Sequence, residues 1–152
     1  MERCPQFVTG EYKPTQAFLP DTEYSLALDC LTKAVSDILV FNHDQTKILL
    51  GKRKVEPQPD WWLIGGRARP GETTKEAAAR NMKRETGIGV VPSRFKVVGH
   101  FSLLWHRRQQ EPQENGLADI STIHVCTITE SEQNSIKIDG NEYEAQKDET
   151  IW

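Results

Sequence analysis

The chain has 152 residues, 37% of them hydrophobic and 27% charged, with a formal net charge of −3. That balance fits one folded domain with a real core and excludes a disordered chain. It also argues against non-specific binding to nucleic acid or to an anionic membrane surface, while leaving room for a local basic site. No apolar run approaches membrane-spanning length, and MERCPQFVTG lacks the apolar stretch of a secretory signal. Cys4, Cys30 and Cys126 are widely spaced, without a CxxC. They read as reduced thiols in a cytoplasmic protein, not as a disulfide framework or a zinc site.

Residues 1–20 contain Pro5, Pro14 and Pro20 and no periodicity, so an irregular arm is expected ahead of a single domain over 21–152. Asp21 is a candidate helix cap. Tyr24, Ala27, Leu28 and Leu31 then form one apolar helical stripe, suited to packing on a sheet. Residues 34–41 (AVSDILVF) read as a buried strand, and 46–53 (TKILLGKR) as its return after an Asn-His-Asp turn. Asp37 is the odd member of the first strand. It is either an outward-facing surface group or, beside Arg53 and Arg67, a site carboxylate. Arg53 could equally be solvated.

A proline-rich loop over 54–60 leads into WWLI at 61–64, a short strand. One of Trp61 and Trp62 would face the core, and the other would either pack as well or cover a site. Residues 94–105 predict a long strand in which Gly99 marks a bulge. The polar stretch 106–118 is long for a connection in a compact domain. Its His106, Arg107 and Arg108 either meet an anionic ligand or form a solvated rim. Residues 119–129 predict another strand, with His124 as a satisfied structural histidine, and the tail from 130 onward is acidic.

Between these strands lies GGRARPGETTKEAAARNMKRETGI, residues 65–88. Its spacing predicts a tight glycine loop feeding a helix. Thr73 is the N-cap, Glu76 completes a capping box, and Gly87 is the left-handed stop. Ala77, Asn81, Arg84 and Glu85 share one face of that helix. Packing alone does not call for such a face beside a glycine loop, whereas a cation bound to a phosphate does. The order Gly66, Glu72, Arg80, Glu85, Gly87 resembles the Nudix box of the Nudix hydrolase family. The resemblance implies an α/β Nudix fold, an α/β/α sandwich with a mixed curved sheet. It implies that Gly66, Glu72, Arg80 and Gly87 shape and brace the motif. Acidic residues of the family pattern are replaced here by Asn81 and Arg84, and Glu85 remains.

Beyond the box, VSDILV, LLGKR, WWLIGGR, NGLADIST and QKDETIW resemble the GDP-mannose mannosyl hydrolase branch of that family. That likeness implies a magnesium ion (Mn²⁺ as the alternative) held by the Gly65 carbonyl, Glu85 and Gln146. It implies Arg53 and Arg67 on the diphosphate or sugar and Asp37 near the substrate. The substrate would be a nucleoside diphosphate derivative, a nucleotide-sugar hydrolysed at the sugar carbon. Glu85, Arg53 and Lys147 are the implied catalytic set, with Lys147 standing where the branch has a histidine. Two alternatives stay open: a pyrophosphohydrolase cleaving at phosphorus, and a nucleotide-binding or regulatory domain without turnover. A Nudix domain also carries a second helix over the far sheet face. Here the early helix or a partner subunit would cover it, so a homodimer is expected.

Overall fold

The computed structural model describes residues 4–15, 17–144 and 150–151. Helix α1 (Asp21–Cys30) precedes strands β1 (Lys33–Phe41), β2 (Ile48–Lys52), β3 (Trp61–Trp62) and β4 (Ile64–Arg67). Helix α2 (Thr74–Thr86), β5 (Lys96–Trp105), β6 (Leu117–Thr127), α3 (Glu130–Asn134) and β7 (Thr150–Ile151) follow. The fold is α/β, with a mixed sheet. β1 runs parallel to β6, and every other pairing in the order β3-β2-β1-β6-β5 is antiparallel.

β1 is the hub. One edge pairs with β6 from Lys33 to Phe41. The other edge is divided: Val40 and Phe41 pair with β2, while Val35 to Ile38 pair with β4. The division sets Asp37 directly opposite Gly65, at the start of the glycine loop. Side chains alternate along a strand. Ile38 and Val40 enter a core shared with Ala78 and Met82 of α2, Phe95 and Cys126, and Asp37 faces the other way.

α2 forms where local chemistry dictates. Thr73 and Glu76 make a reciprocal capping box, and Gly87 ends the helix at φ 77°. Ala77, Ala78, Asn81, Met82, Glu85 and Thr86 are its buried face. The WWLI segment is broken at Leu63 into two short strands, because the first pairs with β2 and the second with β1.

Several local expectations are corrected. Pro20 holds the N-cap position of α1 without a side-chain bond, so Asp21 is a first-turn residue, where its charge suits the helix dipole. Leu31 lies outside α1 and is exposed, and Ser25 joins Leu28 on the buried face. The cause is Arg108, which is fully buried. Its guanidinium donates to Ser25 Oγ at 2.7 Å and to Asp29 Oδ1 at 2.6 Å, and so staples the 106–118 loop to α1. Arg107 pairs with Glu56 at 3.2 Å. In β5 the register shifts between Val97 and Gly99, so Val98 is the bulged residue and Gly99 pairs with Ile123. α3 was not read from the sequence, although Thr129 and Glu132 give it a capping box. No helix among the described residues is long and apolar enough to cross a membrane.

The capping box makes a simple prediction. Thr73→Ala should lower stability by about 1 kcal/mol. In urea unfolding this appears as a lower midpoint with an unchanged slope.

Candidate functional site

The site begins at the β1–β4 pairing. A Cβ on Gly65 would stand 2.6 Å from the Ser36 carbonyl oxygen and 2.7 Å from Asp37 Cα, against the Asp37 carboxylate as well. Only glycine lets β4 come this close. Gly66 follows with φ 152°, and Asn81 Nδ2 donates to its carbonyl at 2.9 Å. Arg80 donates from Nε and Nη2 to both oxygens of Glu72, at 2.5 and 2.8 Å. It also donates to the Arg67 carbonyl at 2.9 Å and to Asn81 Oδ1 at 2.8 Å. The Glu72 carboxyl is held below its usual range mainly by the Arg80 hydrogen bond. Loop and helix are thus tied at several points, and both polar atoms of Asn81 are committed to the tie.

Glu85 has no solvent exposure. Its Oε2 accepts from the Gly65 amide at 3.0 Å and from the Tyr143 hydroxyl at 2.5 Å, and its Oε1 is in short contact with Arg84 Nη2. Burial pushes the Glu85 carboxyl up, while the Tyr143, Arg84 and Gly65 donors oppose that push. Burial, then the neighbouring Glu85 charge, drives the Tyr143 phenol upward, so it remains a donor. Partial burial works against the Arg84 charge, but Glu85 and Glu142 outweigh it and keep the guanidinium firmly protonated.

A cleft opens above this layer. Asp37, Arg53, Gly65, Arg67, Arg84 and Glu142 line it, with Trp62 and Trp105 on one wall. The two indoles meet edge to face, centroids 5.1 Å apart, and Trp105 Nε1 donates to Asp119 Oδ2 at 2.9 Å. Arg67 is exposed and its guanidinium lies 5.2 Å from the centre of the Tyr24 ring. The Arg53 side chain is 17% exposed; Nη2 donates to the Glu56 carbonyl at 3.4 Å. Its Nε is buried without a hydrogen-bond partner among the described residues. Such an orphaned donor beside a cleft suits an anion. Burial pushes Asp37 up to about 6, even though Ser121 Oγ donates to it at 2.6 Å. His124 is buried and its pKa is lowered by burial; its Nε2 lies 3.3 Å from Thr74 Oγ1.

Asp37, Arg53, Gly65 and Arg67 therefore come together around one cleft, and Glu85 lies directly beneath it. Gln146 and Lys147 lie outside the described residues. Two contributors were missed. Tyr143 and Glu142 reach the site because Arg53 bridges Tyr143 and the Lys54 amide donates to the Glu142 carbonyl at 3.0 Å. A signal existed in Gly51, a glycine inside an apolar strand. The Tyr143 ring lies against it, where a Cβ would stand.

The donor set does not fit a divalent ion in this arrangement. Arg84 Nη2 donates to the Gly65 carbonyl at 3.4 Å and contacts Glu85 Oε1, which are two of the implied ligands. Among the described residues no three His, Cys, Asp or Glu side chains gather as a metal cluster.

Two outcomes follow from this packing. Gly65→Ala should force β4 away from β1 and cost about 1–3 kcal/mol in denaturant unfolding. Asp37 gives a pH signature. Between the reference value of 3.8 and about 6 the folded protein keeps a proton that the unfolded chain has released. Stability therefore falls as pH rises through that window, by roughly 3 kcal/mol in all, and stays lower above it. Asp37→Asn should flatten this slope in melts taken across the window.

The comparisons with known proteins agree with the fold. A 56-residue stretch is 50% identical to a putative 8-oxo-dGTP diphosphatase of Bacillus subtilis (strain 168), covering 37% of this chain. The match spans about a third, 36%, of that protein's length. Among solved structures, a MutT Nudix hydrolase from Burkholderia pseudomallei superposes with a TM-score of 0.61 at 19% identity, covering 76% of this chain and 80% of that one. A MutT/nudix family protein from Enterococcus faecalis gives 0.59 at 20% identity, covering 80% of this chain and 43% of that one. The family model described as the NUDIX domain matches residues 31–149, most of the chain and the cleft residues from Lys33 to Tyr143, and the chain belongs to that family.

Proposed function

We propose that this chain is a Nudix hydrolase of a nucleoside diphosphate derivative, bound with its diphosphate in the cleft over Gly65–Arg67. The observation that carries the reading is the convergence of Arg53, Arg67 and Arg84 on that cleft, with a buried, unpartnered Nε on Arg53. Guanidinium groups match phosphate oxygens in geometry and charge. The edge-to-face Trp62–Trp105 pair offers an aromatic wall against which a base or sugar can pack.

The bond that breaks is argued from the same groups. Three guanidinium groups on a diphosphate stabilise it as a leaving group, which favours a nucleotide-sugar opened at the sugar carbon, releasing sugar and nucleoside diphosphate. The resemblance to the GDP-mannose mannosyl hydrolase branch supports this finer reading. Asp37 lies in the cleft with its pKa pushed up to about 6. It is ionised at neutral pH and suits the role of accepting a proton from water. Arg53 and Arg67 orient the diphosphate, and Glu85 holds Arg84, Tyr143 and the Gly65 amide in place from below. Nudix hydrolases generally use a divalent metal such as Mg²⁺. With Arg84 where that ion would stand, no step here is routed through it. Gln146 and Lys147 lie outside the described residues and are given no role in this step.

A second reading keeps cleavage at phosphorus, giving a nucleoside monophosphate. The Bacillus subtilis relative, named for a diphosphatase activity, favours it. The arm over residues 1–20 is proposed as an appendage to a single domain over 21–152. A homodimer is proposed through the exposed Leu104 and Ile120 of β5 and β6.

The test is product analysis in water labelled with heavy oxygen, using GDP-hexoses, with and without Mg²⁺. Label in free sugar supports the leading reading, and label in phosphate supports the second. Nucleotide binding with no product of either kind would leave a binding domain. Where turnover occurs, Arg53→Ala should raise KM about tenfold or more. In the wild type, kcat/KM should rise with pH through about 6, and Asp37→Asn should remove that limb.

A further inference from the structure

We propose that Arg84 is the resident cation of this site, occupying the place between the Gly65 carbonyl and the Glu85 carboxylate that a divalent ion would need. The inference concerns the ion position and rests on the proposed function only in assuming an anionic ligand above it. Arg84 Nη2 contacts Glu85 Oε1, donates to the Gly65 carbonyl at 3.4 Å and lies 3.7 Å from Glu142 Oε1. Three oxygens from the loop, the helix and the 142–144 segment thus face one nitrogen. The other oxygen of Glu85 is also engaged, by Tyr143 and the Gly65 amide.

A magnesium ion sits about 2 Å from its oxygen ligands. An ion bound to Glu85 Oε1 and the Gly65 carbonyl would therefore meet the guanidinium at contact distance, cation against cation. Glu85 has no exposed surface through which an ion could reach it without displacing Arg84. The neighbourhood is shaped for the larger group. A Cβ on Gly66 would stand 3.0 Å from Arg84 Nη2, so this glycine leaves room for the guanidinium. Arg84 also keeps 42% of its side chain exposed and lines the cleft. It can neutralise Glu85 from one side and present positive charge to a phosphate on the other. The consequence is a site whose charge is set by the chain, so that anion binding does not depend on a divalent ion held by Glu85.

The experiment is an electron paramagnetic resonance titration of free Mn²⁺ against the purified chain without nucleotide. The variants are Arg84→Gln, Arg84→Lys, Glu85→Gln and the double variant Arg84→Gln with Glu85→Gln, each checked by thermal melting. The wild type and Arg84→Lys should leave Mn²⁺ free. Arg84→Gln should bind one ion at least about tenfold more tightly than the wild type, and the double variant should lose it. The proposal is overturned if the wild type binds an ion tightly and Glu85→Gln alone releases it, or if Arg84→Gln gains no affinity while melting as a folded protein. If Arg84→Gln does not fold, the wild type compared with Glu85→Gln decides: an ion lost with Glu85 overturns the proposal, and no ion in either supports it. No nucleotide is present, so failure here is distinct from failure of the hydrolase reading, which product analysis tests.

Discussion

A carboxylate with no exposure must be surrounded by donors, or it will unfold the structure around it. Glu85 meets this constraint by drawing three separated parts of the chain to one point. The Gly65 amide comes from the glycine loop, the Tyr143 hydroxyl from the segment beside β2, and the Arg84 guanidinium from its own helix. Removing any one would leave the charge partly unpaired. Loop shape, helix placement and the course of the chain after α3 are therefore mutually dependent.

The same constraint explains the split edge of β1. For Gly65 to reach Glu85, β4 must leave the line of β3 and pair with the first half of β1, leaving the second half to β2. Asp37 is then pressed against a strand that carries no side chain at the contact point. Burial raises its pKa to about 6, because the Ser121 hydrogen bond offsets only part of the desolvation and the nearby Glu85 and Asp119 charges add to it. A residue placed by sheet pairing thus acquires a titration range useful for proton transfer.

The arginines of this chain carry one charge each but are put to different uses by burial and partners. Arg80 is spent on Glu72 and the loop carbonyl, and Arg108 on α1. Arg84 is shared between a buried carboxylate and the cleft. Arg67 and Arg53 are directed at the cleft, one over Tyr24 and the other with a donor left over. A net charge of −3 conceals this local concentration of positive charge.

The sequence alone determined the glycine loop, the capped helix and its glycine stop, and the strands around them. Each of these rests on short-range rules: Thr73 with Glu76, Gly87 at positive φ, and the Ile, Val and Phe that dominate AVSDILVF. Asp37 stood out as a carboxylate in an apolar strand and Glu85 as a charge on the helix face beside the glycine loop, while Arg53, Gly65 and Arg67 were singled out by the resemblance to the mannosyl hydrolase branch. Tertiary structure alone decided what those residues touch. Arg108 proved to be a buried staple where its sequence neighbours suggested a loop rim, because Ser25 and Asp29 lie more than seventy positions away. Tyr143 and Glu142 entered the site through the long-range bridge to Arg53 just past β2, of which Gly51 is the one local sign. The identity of the cation beside Glu85 was decided the same way. Arg84 marks only an added charge in the sequence, and long-range packing sets its guanidinium between the oxygens of Gly65, Glu85 and Glu142.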